Sequence, residues 1–179
     1  EPIRDTILSV GGNLDLEIGG SLLRTGNFQY VTNDQSNSNE RYESTRRAAY
    51  LPVIRNDMYS LFSTFDYTDP SVSIDRRPST TVTQQALFMM NSPIIHQQAA
   101  SFARNILESI PSGDHQGQVE HAYEIALSRP PTEEEVRRAI DFMEKVRSMS
   151  VEQDAEVGDS ALASFCQVLM ASSEFIHVN

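Results

Sequence analysis

The sequence contains no tryptophan, one cysteine, one lysine and no long apolar run. A single cysteine, Cys166, excludes an internal disulfide framework and any multi-cysteine zinc or iron–sulfur site. With no C-x-x-C-H, this stretch of chain attaches no c-type haem of its own. Cys166 lies within an apolar helical pattern and reads as a small core residue. No apolar run approaches the roughly 20 residues that a spanning helix requires, so no membrane insertion is expected here. Nucleophile-elbow, phosphate-loop and zinc-protease patterns are missing as well, and nothing in the sequence makes a case for an enzyme.

Bases are also scarce. The net charge is −11, and only 14 Lys and Arg face 25 Asp and Glu. Residues 1–107 hold 11 of the acids and 9 of the bases; residues 108–179 hold the other 14 and 5. An acidic surface of this kind repels phosphate backbones, which argues against a nucleic-acid partner. Thirteen of the fourteen bases are arginine. That skew fits bidentate anion recognition, but genome composition accounts for it as easily, and the plainer reading is of ordinary solvated charges.

What is present suits a mainly α protein. At 179 residues and 39% hydrophobic content the chain can bury one domain core. It opens on Glu1-Pro2 inside a helical pattern, which points to a piece of a larger domain. Residues 2–11 read as a short helix with Ile3, Ile7, Leu8 and Val10 on one face, closed by Gly11-Gly12. "NLDLEIGG" alternates like a short extended segment. Thr32–Arg47 has no aliphatic residue and reads as a mobile surface loop. "AYLPVIRN" reads as a second extended run, with Pro52 disfavouring a central strand. Met58, Leu61, Phe62 and Phe65 mark a helix capped by Asn56 or Asp57.

Further along, Ser92-Pro93 starts a helix whose apolar face is Ile95, Ala99, Phe102, Ala103, Ile106 and Ile110. "PSGDHQG" reads as a turn, followed by a helix bearing Val119, Ala122, Tyr123, Ala126 and Leu127. Arg129-Pro130-Pro131 breaks it. Thr132 and Glu135 then form a capping box for a helix with a stripe of Val136, Ile140, Met143 and Val146 or the stem of Arg147. "SVEQDAEVGD" reads as an acidic linker. The closing helix buries Leu162, Phe165, Cys166, Leu169 and Met170 and covers the preceding hairpin. The expected architecture is an irregular helical bundle with a C-terminal three-helix unit and one or two short extended segments. It is one domain, with long polar loops in 1–107 and the acidic hairpin and closing helix in 108–179.

The stretch "FDYTDPSVSIDRRPSTTVTQQALFMMNSP" concentrates the chemistry. If it binds a ligand, the groups that would do so are Asp66, Asp69, Ser71, Asp75, Arg76, Arg77, Ser79, Thr80 and Gln85. The oxygens of Asp66, Asp69, Ser71, Ser73 and Asp75 resemble a calcium loop in composition. They lack the glycine and closing glutamate of an EF-hand, so no metal is assigned. Arg76 and Arg77 before Ser79, Thr80 and Thr81 offer an anion or sugar-like ligand site at a helix start. The competing reading is a structural clasp: Asp66 and Asp69 pair with Arg76 or Arg77, while Thr81 or Thr83 caps the next helix. His96, His115, His121 and His177 have no metal-ligand spacing.

These same residues resemble the C-terminal domain of unknown function 1553, known mainly from large planctomycete proteins. The resemblance rests on Thr64, Phe65, Asp66, Asp69, Pro70 and Ser71, then on Arg77, Ser79, Thr80, Gln85, Ala86, Leu87 and Asn91. It continues through Leu127, Arg129, Pro131, Thr132 and Glu135 to Glu174 and Phe175. Pro78 departs from it, since the family often has asparagine before its Ser-Thr. The resemblance implies an extracytoplasmic location and a cytochrome-c-like, haem-bearing domain elsewhere in the same polypeptide, whose domains are the expected partners. No cofactor is implied for this stretch itself. Because the family has no established activity, the expectation is an accessory or interaction module. The alternative is a ligand-binding or catalytic domain that uses the Asp66–Thr83 loop.

Overall fold

The computed structural model describes residues 1–20, 22, 42–53, 58–68, 73–76, 80, 82–149 and 156–177, without the side chains of 156–159. Among them the chain is helical. The elements are α1 (Pro2–Val10), a 3-10 turn (Ala48–Tyr50), α2 (Ser60–Thr64), α3 (Thr83–Asn91) and α4 (Pro93–Ser109). They are followed by α5 (His115–Leu127), α6 (Glu133–Met149), α7 (Glu156–Met170) and α8 (Ser173–Ile176). The extended "NLDLEIGG" segment forms no strand; it makes one parallel bridge, Asp15 to Arg46. Leu16 and Ile18 stay exposed, so the alternation there buries nothing. "AYLPVIRN" begins as a 3-10 turn instead of an extended run, and its last three residues lie outside the described set.

The backbone divides into two compact units, Glu1–Thr6 with Leu14–Phe88, and Ile7–Asn13 with Met89–Asn179. The charge boundary at 107/108 therefore falls inside α4.

In the first unit, aromatic rings make a continuous stack. Tyr42 lies flat on Tyr59 at 4.7 Å, Tyr59 meets Phe62 edge-on at 5.3 Å, and Phe62 stacks on Tyr67 at 4.9 Å. Such pairs stabilise by about 0.5–1.5 kcal/mol beyond their burial. Tyr42 belongs to the stretch read as a mobile loop. Residues 32–41 lie outside the described set, but Tyr42 is buried and the residues after it are tied down. The tie is Arg4, whose guanidinium donates to the Arg46 carbonyl at 2.7 Å and to the Ser44 carbonyl. Helix α2 begins at Ser60, later than the apolar spacing suggests, and its expected caps Asn56 and Asp57 are outside the described residues.

The second unit packs α4, α5, α6 and α7 together. α1 ends on the glycine pair as expected. The Asn13 N–H reaches the Leu8 carbonyl at 2.8 Å, and the Gly12 N–H reaches Ser9 at 3.0 Å. This Schellman closure needs a left-handed residue, and Gly12 supplies it with φ +73°. Next to it, Asn13 and Asn105 donate to the Gly11 carbonyl, and Asn13 also donates to Gln98.

α5 starts earlier than its apolar pattern. Asp114 caps it by accepting from the Gly117 N–H at 2.9 Å, so "DHQG" is helix start and not turn. α6 carries the expected capping box: the Thr132 N–H donates to Glu135 at 2.7 Å, and the Glu135 N–H donates to the Thr132 hydroxyl at 3.3 Å. The hairpin is antiparallel, since His115 at the start of α5 bonds Arg147 in the last turn of α6 at 3.2 Å. α7 covers this hairpin, as the sequence predicts, and packs most extensively along α4. The linker reading is corrected at its end, because α7 already begins at Glu156. Buried Ile95, Ala99, Phe102, Ala103 and Ile106 on α4, and Ala161, Leu162, Phe165, Cys166, Leu169 and Met170 on α7, form the core.

Candidate functional site

The polar stretch begins where α2 stops. The Tyr67 N–H reaches back to the Phe62 carbonyl at 3.0 Å, which leaves Asp66 in the left-handed region at φ 54°. Aspartate tolerates this conformation better than most residues with a Cβ. Its carboxylate would be disfavoured at the negative end of a helix. Here it is held by Thr80, whose N–H donates at 2.6 Å and whose hydroxyl donates at 2.7 Å. Hydrogen bonds to an ionised acceptor are the stronger kind.

Gln85 completes the arrangement. It is buried, and its amide group donates to the carbonyls of Thr64 at 3.2 Å and Thr80 at 3.1 Å. Its side-chain oxygen accepts from the Val82 N–H at 3.3 Å, just before α3. A glutamine at the third helical position thus caps α3 and joins its start to the end of α2. Thr83, expected as a possible cap, is instead the first residue of the helix. Phe65 and Phe88 meet edge-on at 5.8 Å beside this junction.

Of the nine candidate residues, the structure brings together Asp66, Thr80 and Gln85. Asp75 and Arg76 are exposed and stand outside the hydrogen-bonded set. Asp69, Ser71, Arg77 and Ser79, with the expected cap Thr81, lie outside the described residues. Among the described residues, Asp66 is met by a threonine and not by an arginine. The reason is local: Thr80 presents a backbone and a side-chain donor to one carboxylate, with no long side chain to immobilise.

A second polar constellation joins the turn between α5 and α6 to α8. Arg129 makes a bidentate pair with Glu135, at 3.0 and 2.8 Å, and another with Glu174, at 2.5 and 2.8 Å. Its guanidinium also lies 5.2 Å from the Tyr123 ring centre. Phe175, next to Glu174, is buried, and Ser172 caps α8. Arg129, Thr132 and Glu135 at the α5–α6 turn and Glu174 near the end of the chain are therefore one clasp. The hydrogen bonds from Arg129, and those from Thr132, hold the Glu135 carboxyl down at about 2. Glu174 is lowered by Arg129 as well.

A pH prediction follows from Glu135. Its folded value lies below the ordinary 4.5, so its contribution is present above about pH 4.5 and disappears as pH falls toward 2. The group is partly solvent-exposed, and screening leaves a contribution of about 1 kcal/mol. Urea midpoints measured from pH 5 to pH 2.5 should fall more gently for Glu135→Gln than for the parent chain.

Among the described residues no three His, Cys, Asp or Glu side chains come close enough to hold a metal ion. Cys166 is fully buried and burial pushes its thiol well up, the setting of a small core residue and not of an activated thiol. No helix among the described residues is long and apolar enough to cross a membrane.

The family model described as a protein of unknown function (DUF1553), PSD1, matches residues 1–143. The match takes in both the Asp66 junction and the Arg129–Glu135 pair, and ends before Glu174. No curated protein and no solved structure matches the chain.

Proposed function

The chain belongs to the DUF1553 family, and from that premise we propose that it is an accessory interaction module within a larger extracytoplasmic polypeptide. The observation that carries this reading is the pairing of Asp66 with Thr80. A binding site needs side chains that converge on an open hollow with groups left over for a ligand. A clasp needs them satisfied by one another. The carboxylate of Asp66, the amide of Gln85 and the guanidinium of Arg129 all have protein partners. The location and the neighbouring domains rest on the family resemblance alone.

The test is a thermal-shift screen with glycans, divalent cations and oxyanions on the chain and on its Asp66→Asn variant. The expected result is that no compound raises the melting temperature of either. Asp66→Asn should itself cost about 1 kcal/mol, and Gln85→Ala about 2 kcal/mol because it removes the donor of two part-buried carbonyls and the acceptor of the Val82 N–H together. A compound that stabilises the parent chain but not Asp66→Asn would establish the rival reading, a ligand site in the Asp66–Thr83 loop.

A further inference from the structure

The predicted buried stripe of α6 is only partly buried. Ala139 and Met143 turn inward, while Val136 and Ile140 are only half-buried. With Pro131 they floor a furrow of about 400 Å³ on the α5–α6 hairpin. Its rim carries Glu120 from α5 and Glu133 and Asp141 from α6. Among the described residues Arg137 is the one base on that rim, and it is already paired with Glu134. A second hollow, lined by Asp141, Glu144, Lys145 and Ser148, continues from Asp141 along α6.

We propose that this furrow receives a basic amphipathic segment of a partner protein. Apolar side chains of the segment would lie on Pro131, Val136 and Ile140, and its lysines or arginines would face Glu120, Glu133, Asp141 and Glu144. The proposal rests on the interaction-module reading and names the chemistry of the partner. The charge pattern selects this occupant over others. A second copy seated on the same face would set acid against acid, and each copy carries a net −11. Nucleic acid and anionic membrane are repelled for the same reason. A small ligand fits poorly because the furrow is an open trough that runs on along the helix, whereas small-molecule sites enclose most of the ligand. Exposed ion pairs add little affinity individually, so the apolar floor supplies the binding and the acids supply steering and selectivity.

The probe is a fluorescein-labelled peptide of leucines and lysines in heptad spacing, about 14 residues long to match about 21 Å of helix. Its counterpart has glutamate in place of lysine. Fluorescence anisotropy should show the lysine peptide binding at low salt, with affinity about tenfold weaker at 0.3 M than at 0.05 M salt. Ile140→Glu and Asp141→Lys should each weaken binding by about tenfold, the scale of a central interface residue. Glu108→Lys changes the net charge as much as Asp141→Lys does, but at an exposed site on α4, and should stay within about twofold. All three sites are partly or fully exposed, and melting curves will verify that each variant is folded. The proposal is overturned if the lysine peptide does not bind, or if the glutamate peptide binds as well. It is also overturned if Glu108→Lys weakens binding as much as the furrow variants do. None of these results touches the Asp66 junction, so the module reading stands or falls separately on its ligand screen.

Discussion

Arg4→Leu is expected to lower stability by about 2–3 kcal/mol, and Arg4→Lys by less. Arg4 is 1% exposed, on the same side of α1 as Ile7 and Leu8. A buried charge is unfavourable unless its surroundings neutralise and hydrogen-bond it. Asp5 stands 3.6 Å away, and the carbonyls of Ser44 and Arg46 take two of the guanidinium nitrogens. Tyr59 contributes its hydroxyl; burial raises the pKa of that phenol more than Arg4 lowers it. The Asp5 carboxylate is itself held by the Ala48 N–H at 2.7 Å. One arginine thus fixes the path of the chain around residues 44–48.

Two effects oppose each other in the leucine variant. Removing a desolvated charge is favourable, and the Nε of Arg4 is buried without a partner even in the parent chain. Against this, two carbonyls lose their donors, at about 1–3 kcal/mol each where water cannot replace them. Both sites are only partly buried, which places the net loss near the lower figure for the pair. Lysine keeps the charge but cannot reach both carbonyls with a planar fork. Urea unfolding at neutral pH provides the measurement, with a lowered midpoint and an unchanged slope as the expected outcome. A leucine variant as stable as the parent would mean that the 44–48 carbonyls rehydrate freely and that Arg4 does not organise the segment.

Arg4 also shows what was hidden in the sequence. A charged residue on an apolar stripe reads as the polar edge of an amphipathic helix, because charges are almost never fully buried unless paired. Its partners are carbonyls some forty residues away, and carbonyls leave no mark in a pattern of side chains. Asp114 was missed for a different reason: Gly117, the donor it caps, looks like a loop residue. The helices with strong periodicity were readable throughout, as were the Thr132–Glu135 capping box and the glycine stop of α1, since each depends on neighbours a few residues apart. The Asp66 clasp was legible in its acid, while its bonds to Thr80 were not, because a backbone N–H leaves no mark in a pattern of side chains; Arg77, one of the two arginines expected beside Asp66, lies outside the described residues. Val136 and Ile140 were assigned to the core by spacing alone, and spacing cannot say how wide the covered face is.

The core of the second unit yields the other large effect. Phe102→Ala should destabilise by about 3–5 kcal/mol, the range for truncating a fully buried aromatic residue. Phe102 has 0% exposure on α4, between Ala99 and Ala103 and one turn before Ile106 on the same face. The alanines beside it let the helix that faces α4 come close, so the ring fills space that its neighbours cannot reach. α4 packs most extensively on α7, whose face offers Ala161, Leu162, Cys166 and Leu169. These side chains hang from helices braced against α5 and α6, and they can collapse only partly into the space left by the ring. Ile95, at the first turn of α4, is equally buried but smaller, so Ile95→Val should cost only about 1 kcal/mol. Thermal unfolding of both variants separates the two readings of α4. A steep loss at Phe102 beside a small one at Ile95 marks a close-packed core, whereas similar small losses would mean that α4 and α7 pack loosely and re-form around the change.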